Sequence, residues 1–134
     1  MSTLEFDNIS DGTTSVPMGY VVNGSAKAWM SLNGDTATIR NSQNVSSITD
    51  NGVGDYTTNF SNNMDNANYA VLGSCSGAGS VNGSLNTVQI NSNAHNSLSA
   101  PTTSSFRTVA VHHGNSANQD VDYLMITVHG DLAP

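Results

Sequence analysis

Apolar residues in this chain never run far. They come in short, alternating stretches, and Gly, Asn, Asp or Pro closes one about every eight to twelve residues. That spacing suits short antiparallel strands joined by turns, and no longer stretch carries a convincing helical period. The expected fold is all-β: an antiparallel β-sandwich, jelly-roll-like, preceded by an N-terminal strand segment. Residues 1–20 make up that segment, which serves attachment or oligomerisation, and residues 21–134 the sandwich domain.

Thr3 to Ile9 alternates and stops at Asp11-Gly12. Val16 to Val22 reads as a second strand, with Pro17 restricting its start to an edge or a bend. Ala26 to Leu32 and Thr36 to Arg40 flank Asn33-Gly34, a pair suited to the positive φ angles of a type I′ hairpin turn. Val45 to Thr49 and Tyr56 to Phe60 form a second hairpin around a loop at 50–55. Asn68 to Ser74 and Leu85 to Ser92 are further strands, with loops at 74–86 and 93–103. Phe106 to His113 and Val121 to His129 are apolar on both faces and therefore belong at the centre of a sheet.

Composition limits what such a fold can do. Asn, Ser, Thr and Gly supply 62 of the 134 residues, while Leu, Ile, Val and Phe supply 27. So few large apolar residues make a thin core, which leads to the expectation that neighbouring subunits contribute burial. The net charge is −7, and the three basic residues are Lys27, Arg40 and Arg107. Without clustered Lys and Arg to neutralise phosphates, nucleic acid is not an expected partner. No apolar run approaches the roughly 20 residues of a membrane span. The acidic start, Met1 to Glu5, does not look like a signal peptide, so synthesis in the cytoplasm is expected. The single cysteine, Cys75, leaves no intrachain disulfide and reads as a small buried apolar residue.

Chemistry has few places to reside. His95, His112, His113 and His129 are the best metal or catalytic candidates, but no Cys or Glu stands near them at zinc-ligand spacing. The serine-rich segment Gly73-Ser74-Cys75-Ser76-Gly77 is not Gly-x-Ser-x-Gly between a strand and a helix. Asp50 and Asp55 flank one loop, and Asp120 and Asp122 flank a strand start. Asx-turn and solvation roles account for these better than paired acid–base work or Ca²⁺ binding. Trp29, the one tryptophan, reads as a core or intersubunit anchor ahead of a sugar platform. No catalytic, cofactor-binding or metal residue is assigned, and no cofactor or enzymatic activity is expected.

The run Val22-Asn23-Gly24-Ser25-Ala26-Lys27-Ala28-Trp29, then Thr38-Ile39-Arg40-Asn41-Ser42, then Asn44 through Phe60, resembles a module of tail-fibre and virion proteins of tailed bacteriophages, notably those of aquatic bacteria. Met64-Asp65-Asn66-Ala67-Asn68-Tyr69-Ala70 looks like its continuation, and Ser2 to Ile9 is similar to the segment that precedes it. The resemblance covers residues 2–70 and extends to 71–134 only in general style. It implies a homotrimeric appendage or surface protein located in the virion, with variable loops that meet a host-surface receptor, a glycan or the capsid. It carries no catalytic residues to transfer. The expected function is thus a non-enzymatic structural protein, a trimeric fibre or fibre-tip protein. The alternative is a capsid decoration (cement) protein bound to the major capsid protein, which suits a chain with no obvious fibre shaft.

Overall fold

The computed structural model describes residues 6–76, 86–92 and 98–134. A short hairpin opens the described chain, β1 (Asn8–Ser10) and β2 (Ser15–Pro17), followed by a seven-residue helix, α1 (Met18–Gly24). Eight strands come next: β3 (Ala28–Asn33), β4 (Thr38–Gln43), β5 (Val45–Gly52), β6 (Asp55–Phe60), β7 (Ala70–Cys75), β8 (Asn86–Ile90), β9 (Ser105–His112) and β10 (Leu124–His129). They form two four-stranded antiparallel sheets, one in the order β4-β3-β10-β7 and the other in the order β5-β6-β9-β8. This is the expected antiparallel sandwich, with eight strands divided between two sheets, though β3 and β4 pair within one sheet and so depart from jelly-roll strand order. Strands β9 and β10 are each paired on both edges, the central positions expected of them.

Alternation decides which side chains meet between the sheets. Ala28, Met30 and Leu32 of β3 are buried while Trp29 and Ser31 between them are not, and Leu124, Ile126 and Val128 repeat the pattern on β10. The second sheet answers with Tyr56, Thr58 and Phe60 of β6 and Phe106, Thr108 and Ala110 of β9. Burying each larger apolar side chain contributes roughly 1.5–3 kcal/mol. Phe60, Tyr69 and Phe106 close one end as an aromatic trio. Phe60 stands 5.6 Å from each partner ring, and Tyr69 meets both neighbours edge-on. The Tyr69 hydroxyl lies 2.9 Å from the carbonyl oxygens of both Thr102 and Ser105, which keeps its polar end satisfied.

The chain passes from one sheet to the other through a single residue, Asn44, between β4 and β5. Its φ of 55° gives the sharp bend, in a region that Asn tolerates better than most residues. Its side chain fixes the corner by accepting from Asn62 N–H at 2.7 Å and donating to the Asn62 carbonyl at 3.1 Å.

Three sequence expectations give way here. Val16 to Val22 is not a strand: β2 stops at Pro17 and residues 18–24 are helical. The β1–β2 ladder pairs Asn8 with Pro17 and ends where Met18 N–H donates to the Asp7 carbonyl at 2.8 Å, and no described residue continues it alongside Gly19 onward. Extended but unpaired, these residues would leave backbone groups without partners, whereas a helix joins them internally. That outweighs the strand preference of Tyr20-Val21-Val22. The Asn33-Gly34 turn is not type I′ either. Asn33 pairs with Thr38 inside the ladder, leaving the four-residue loop 34–37, and the positive φ falls on Ala37. Finally, the loop at 50–55 is mostly strand: β5 runs to Gly52 and β6 starts at Asp55, so only Val53 and Gly54 connect them.

Candidate functional site

Both hairpin turns, one from each sheet, meet the segment 119–121 at one end of the sandwich. Gly34 N–H donates to the Val121 carbonyl at 2.8 Å, and Gly54 N–H donates to Asp120 Oδ1 at 2.7 Å. The Tyr56 hydroxyl, rising from the core, lies 2.8 Å from the same Asp120 oxygen and 2.9 Å from the Gly34 carbonyl. Burial, with Asp120 beside it, pushes the Tyr56 hydroxyl far above its ordinary pKa. Glycine is required at both turns for approach. A Cβ on Gly34 would stand 2.6 Å from the Val121 carbonyl oxygen, and one on Gly54 would stand 2.6 Å from that of Gln119. Asp120 is therefore a clasp between the sheets.

The carboxylates singled out in the sequence separate into different roles. Asp50 makes the expected Asx turn, accepting from Gly52 N–H at 2.9 Å. Asp55 departs from expectation, since it is fully buried and bound in a two-pronged ion pair to Arg107 at 2.6 and 2.7 Å. The pair holds the Arg107 guanidinium above its already high range. Asn51 joins it, donating to Thr57 at 2.9 Å and to Asp55 at 3.3 Å. Asp122 stands against Asp35, whose carboxyl is raised above the usual range chiefly by hydrogen bonding to Asp122. Asp50, Asp55 and Asp120 thus hold turns or strands in place, while Asp35 and Asp122 form a carboxylate pair with Asp35 exposed to solvent.

The described histidines do not converge. His112 ends β9, where its Nδ1 accepts from Gly114 N–H at 3.0 Å, and His113 beside it is exposed. His129 lies at the far end of β10, in the other sheet, with Nε2 3.4 Å from the Thr127 hydroxyl. His95 lies outside the described residues. Among the described residues, no three His, Cys, Asp or Glu side chains gather where they could hold a metal ion. Cys75 is half-buried against the core, and desolvation pushes its thiol up, which disfavours the reactive thiolate. No described helix is long and apolar enough to cross a membrane.

What the surface does offer is apolar. Trp29 is not in the core: it lies on the outer face of the first sheet, its indole N–H donating to Gln43 Oε1 at 2.8 Å. The register sets Trp29, Thr127 and Leu72 in one row across β3, β10 and β7, with Met125 one row further. Leu72 is 57% exposed and Met125 45%. An open groove of about 320 Å³ runs over Leu72–Ser74 and Met125–Thr127. Beside it Arg40 stacks on Tyr123, 4.2 Å from the ring centroid.

The other apolar surface is the arm formed by β1, β2 and α1. None of its described residues is buried, and Phe6, Ile9, Val16, Tyr20, Val21 and Val22 are all exposed, Tyr20 by 74%. Ile9 and Val16 are directly paired, so they present one face together. The hairpin tip is well made, with Asp11 accepting from Thr13 and Thr14 N–H at 2.9 and 2.7 Å. Those bonds lower the Asp11 carboxyl below its usual range. The sequence pattern flagged the segment but missed its helix and could not show that its apolar residues turn outward.

No family model matches the chain, and no curated protein or solved structure matches it.

Proposed function

We propose that this chain is a non-enzymatic structural subunit of a tailed-bacteriophage virion, a homotrimeric fibre or fibre-tip protein whose arm joins subunits and whose turns and loops meet the host surface. The observation that carries the reading is the exposed arm. A two-stranded hairpin and a seven-residue helix are each marginal alone in water. Six large apolar side chains on such a segment have a physical rationale when another protein surface covers them. The residues resembling virion modules lie on the arm, on β3 to β6 and on the segment leading into β7, so the resemblance takes in half of the sandwich strands. The threefold number comes from that resemblance. A clamp-like arm equally suits the second reading, a decoration protein gripping the major capsid protein.

Light scattering during size exclusion at high salt tests the assembly: about three times 13.9 kDa is expected, and a folded monomer of 13.9 kDa contradicts it. Antibody labelling of intact phage particles then separates the two readings. Label at the tail supports the fibre, label over the head supports decoration, and unlabelled particles contradict both.

A further inference from the structure

The arm and the outer face of the β4-β3-β10-β7 sheet are two uncovered apolar surfaces on one chain, and we infer that they cover each other between copies. The arm of one subunit docks its Ile9–Val16 face and Tyr20 on the Trp29, Leu72 and Met125 strip of the next. This rests on the oligomeric reading above and says which surfaces make the contact.

Docking within one chain is disfavoured by the linker. Lys27 N–H donates to the Val128 carbonyl at 2.8 Å, while its ammonium group bonds back to Val22, and to the Ser25 carbonyl at 3.0 Å and hydroxyl at 2.8 Å. The three residues between α1 and β3 are thereby pinned, and the arm stands with its apolar residues in solvent.

Size points to a closed assembly. Four strands about 4.8 Å apart and six residues long at about 3.3 Å each give a face of roughly 400 Å². One arm on one face removes about 800 Å² counting both surfaces, which is short of the roughly 1,200 Å² of a stable interface. Three such contacts closing a ring remove about 2,400 Å², so stability requires that every arm be docked. Charge does not oppose the contact. The described arm carries only Asp7 and Asp11, and the nearest cation on the sheet, Arg40, already stacks on Tyr123.

The test uses the full chain and two variants, Tyr20→Asp on the arm and Leu72→Asp on the sheet, both at exposed positions. Light scattering should show each variant at least tenfold weaker in association than the parent, with unchanged circular dichroism. A chain carrying Tyr20→Asp together with Leu72→Lys should recover part of the association, because the carboxylate on every arm would then meet a lysine on the next sheet. Variants that remain as fully associated as the parent overturn this inference while leaving the oligomeric reading standing. A monomeric parent overturns both. Two weakened single variants with no recovery in the charge-paired chain also overturn it, since the arm and the face would then have different partners.

Discussion

The sandwich and the arm divide the same kinds of residue in opposite ways. In the sandwich, Leu32, Leu124, Val128 and Tyr56 are sealed between sheets, and the ion pair on the outer face of the second sheet is satisfied by Arg107 and Asn51. In the arm, Ile9, Val16, Tyr20 and Val22 have regular backbone under them and no cover. A sheet that faces another sheet finds its burial inside the chain. A lone hairpin and a short helix have no second layer, so their stability becomes a property of whatever they dock against. The thin composition therefore does not thin the whole molecule evenly: the space between the sheets is filled, and the uncovered apolar side chains gather on residues 6–24 and on the outer strip at Leu72 and Met125.

The largest effect should come from breaking the sandwich's own electrostatics. Arg107→Ala leaves Asp55 buried without its guanidinium and should cost about 3–5 kcal/mol in urea unfolding. A loss below about 1 kcal/mol would mean that Asp55 reaches water, and that this face is less closed than the contrast requires.

Next comes the clasp. Tyr56→Phe removes the hydroxyl that reaches Asp120 and should cost about 1–2 kcal/mol. The same chemistry sets an alkaline limit. Tyr69 is pushed up to about 12 by burial, and Tyr56 is raised further. A tyrosine whose folded pKa exceeds its unfolded value near 10 contributes its full stability below pH 10. For Tyr69 that contribution is lost as pH rises toward 12. Unfolding midpoints should hold from pH 8 to 10 and fall above it, with the fall smaller in Tyr56→Phe. A midpoint that is flat to pH 12 would contradict the burial of these hydroxyls.

The smallest effect on folding should come from the arm. Ile9→Ser and Val22→Ser should leave the sandwich's unfolding free energy in urea within about 0.5 kcal/mol of the parent when measured on dissociated protein. A larger loss would show that the arm supports its own sandwich, and the contrast would fail.

Which parts were legible in the sequence follows from how local their causes are. The β3–β4 and β5–β6 hairpins and the central strands β9 and β10 were readable because alternation and β-branched residues report directly on a two-faced strand. The helix at Met18–Gly24 was not, because its cause is the end of the β1–β2 ladder at the Met18–Asp7 bond, past which no described residue continues the pairing. Gly34 looked like a residue chosen for positive φ, and its actual constraint is the Val121 carbonyl far along the chain. Asp55 looked like a loop carboxylate because its partner, Arg107, is 52 positions away. Trp29 sat correctly in its hairpin, but whether an alternating residue faces in or out depends on which side the second sheet covers. Of the candidate site, the sequence marked the N-terminal segment as one for attachment, while its uncovered apolar face appears only in three dimensions.

Amide hydrogen exchange of the full chain, followed over a hundredfold dilution, tests the central contrast most directly. Amides in β9 and β10 should stay protected at every concentration, because their partners lie within the chain. Amides of Ile9, Val16 and Tyr20 to Val22 should be protected at high concentration and exchange freely when the protein is dilute. Arm protection that does not change with dilution, or arm amides that are unprotected even at the highest concentration, would contradict the account.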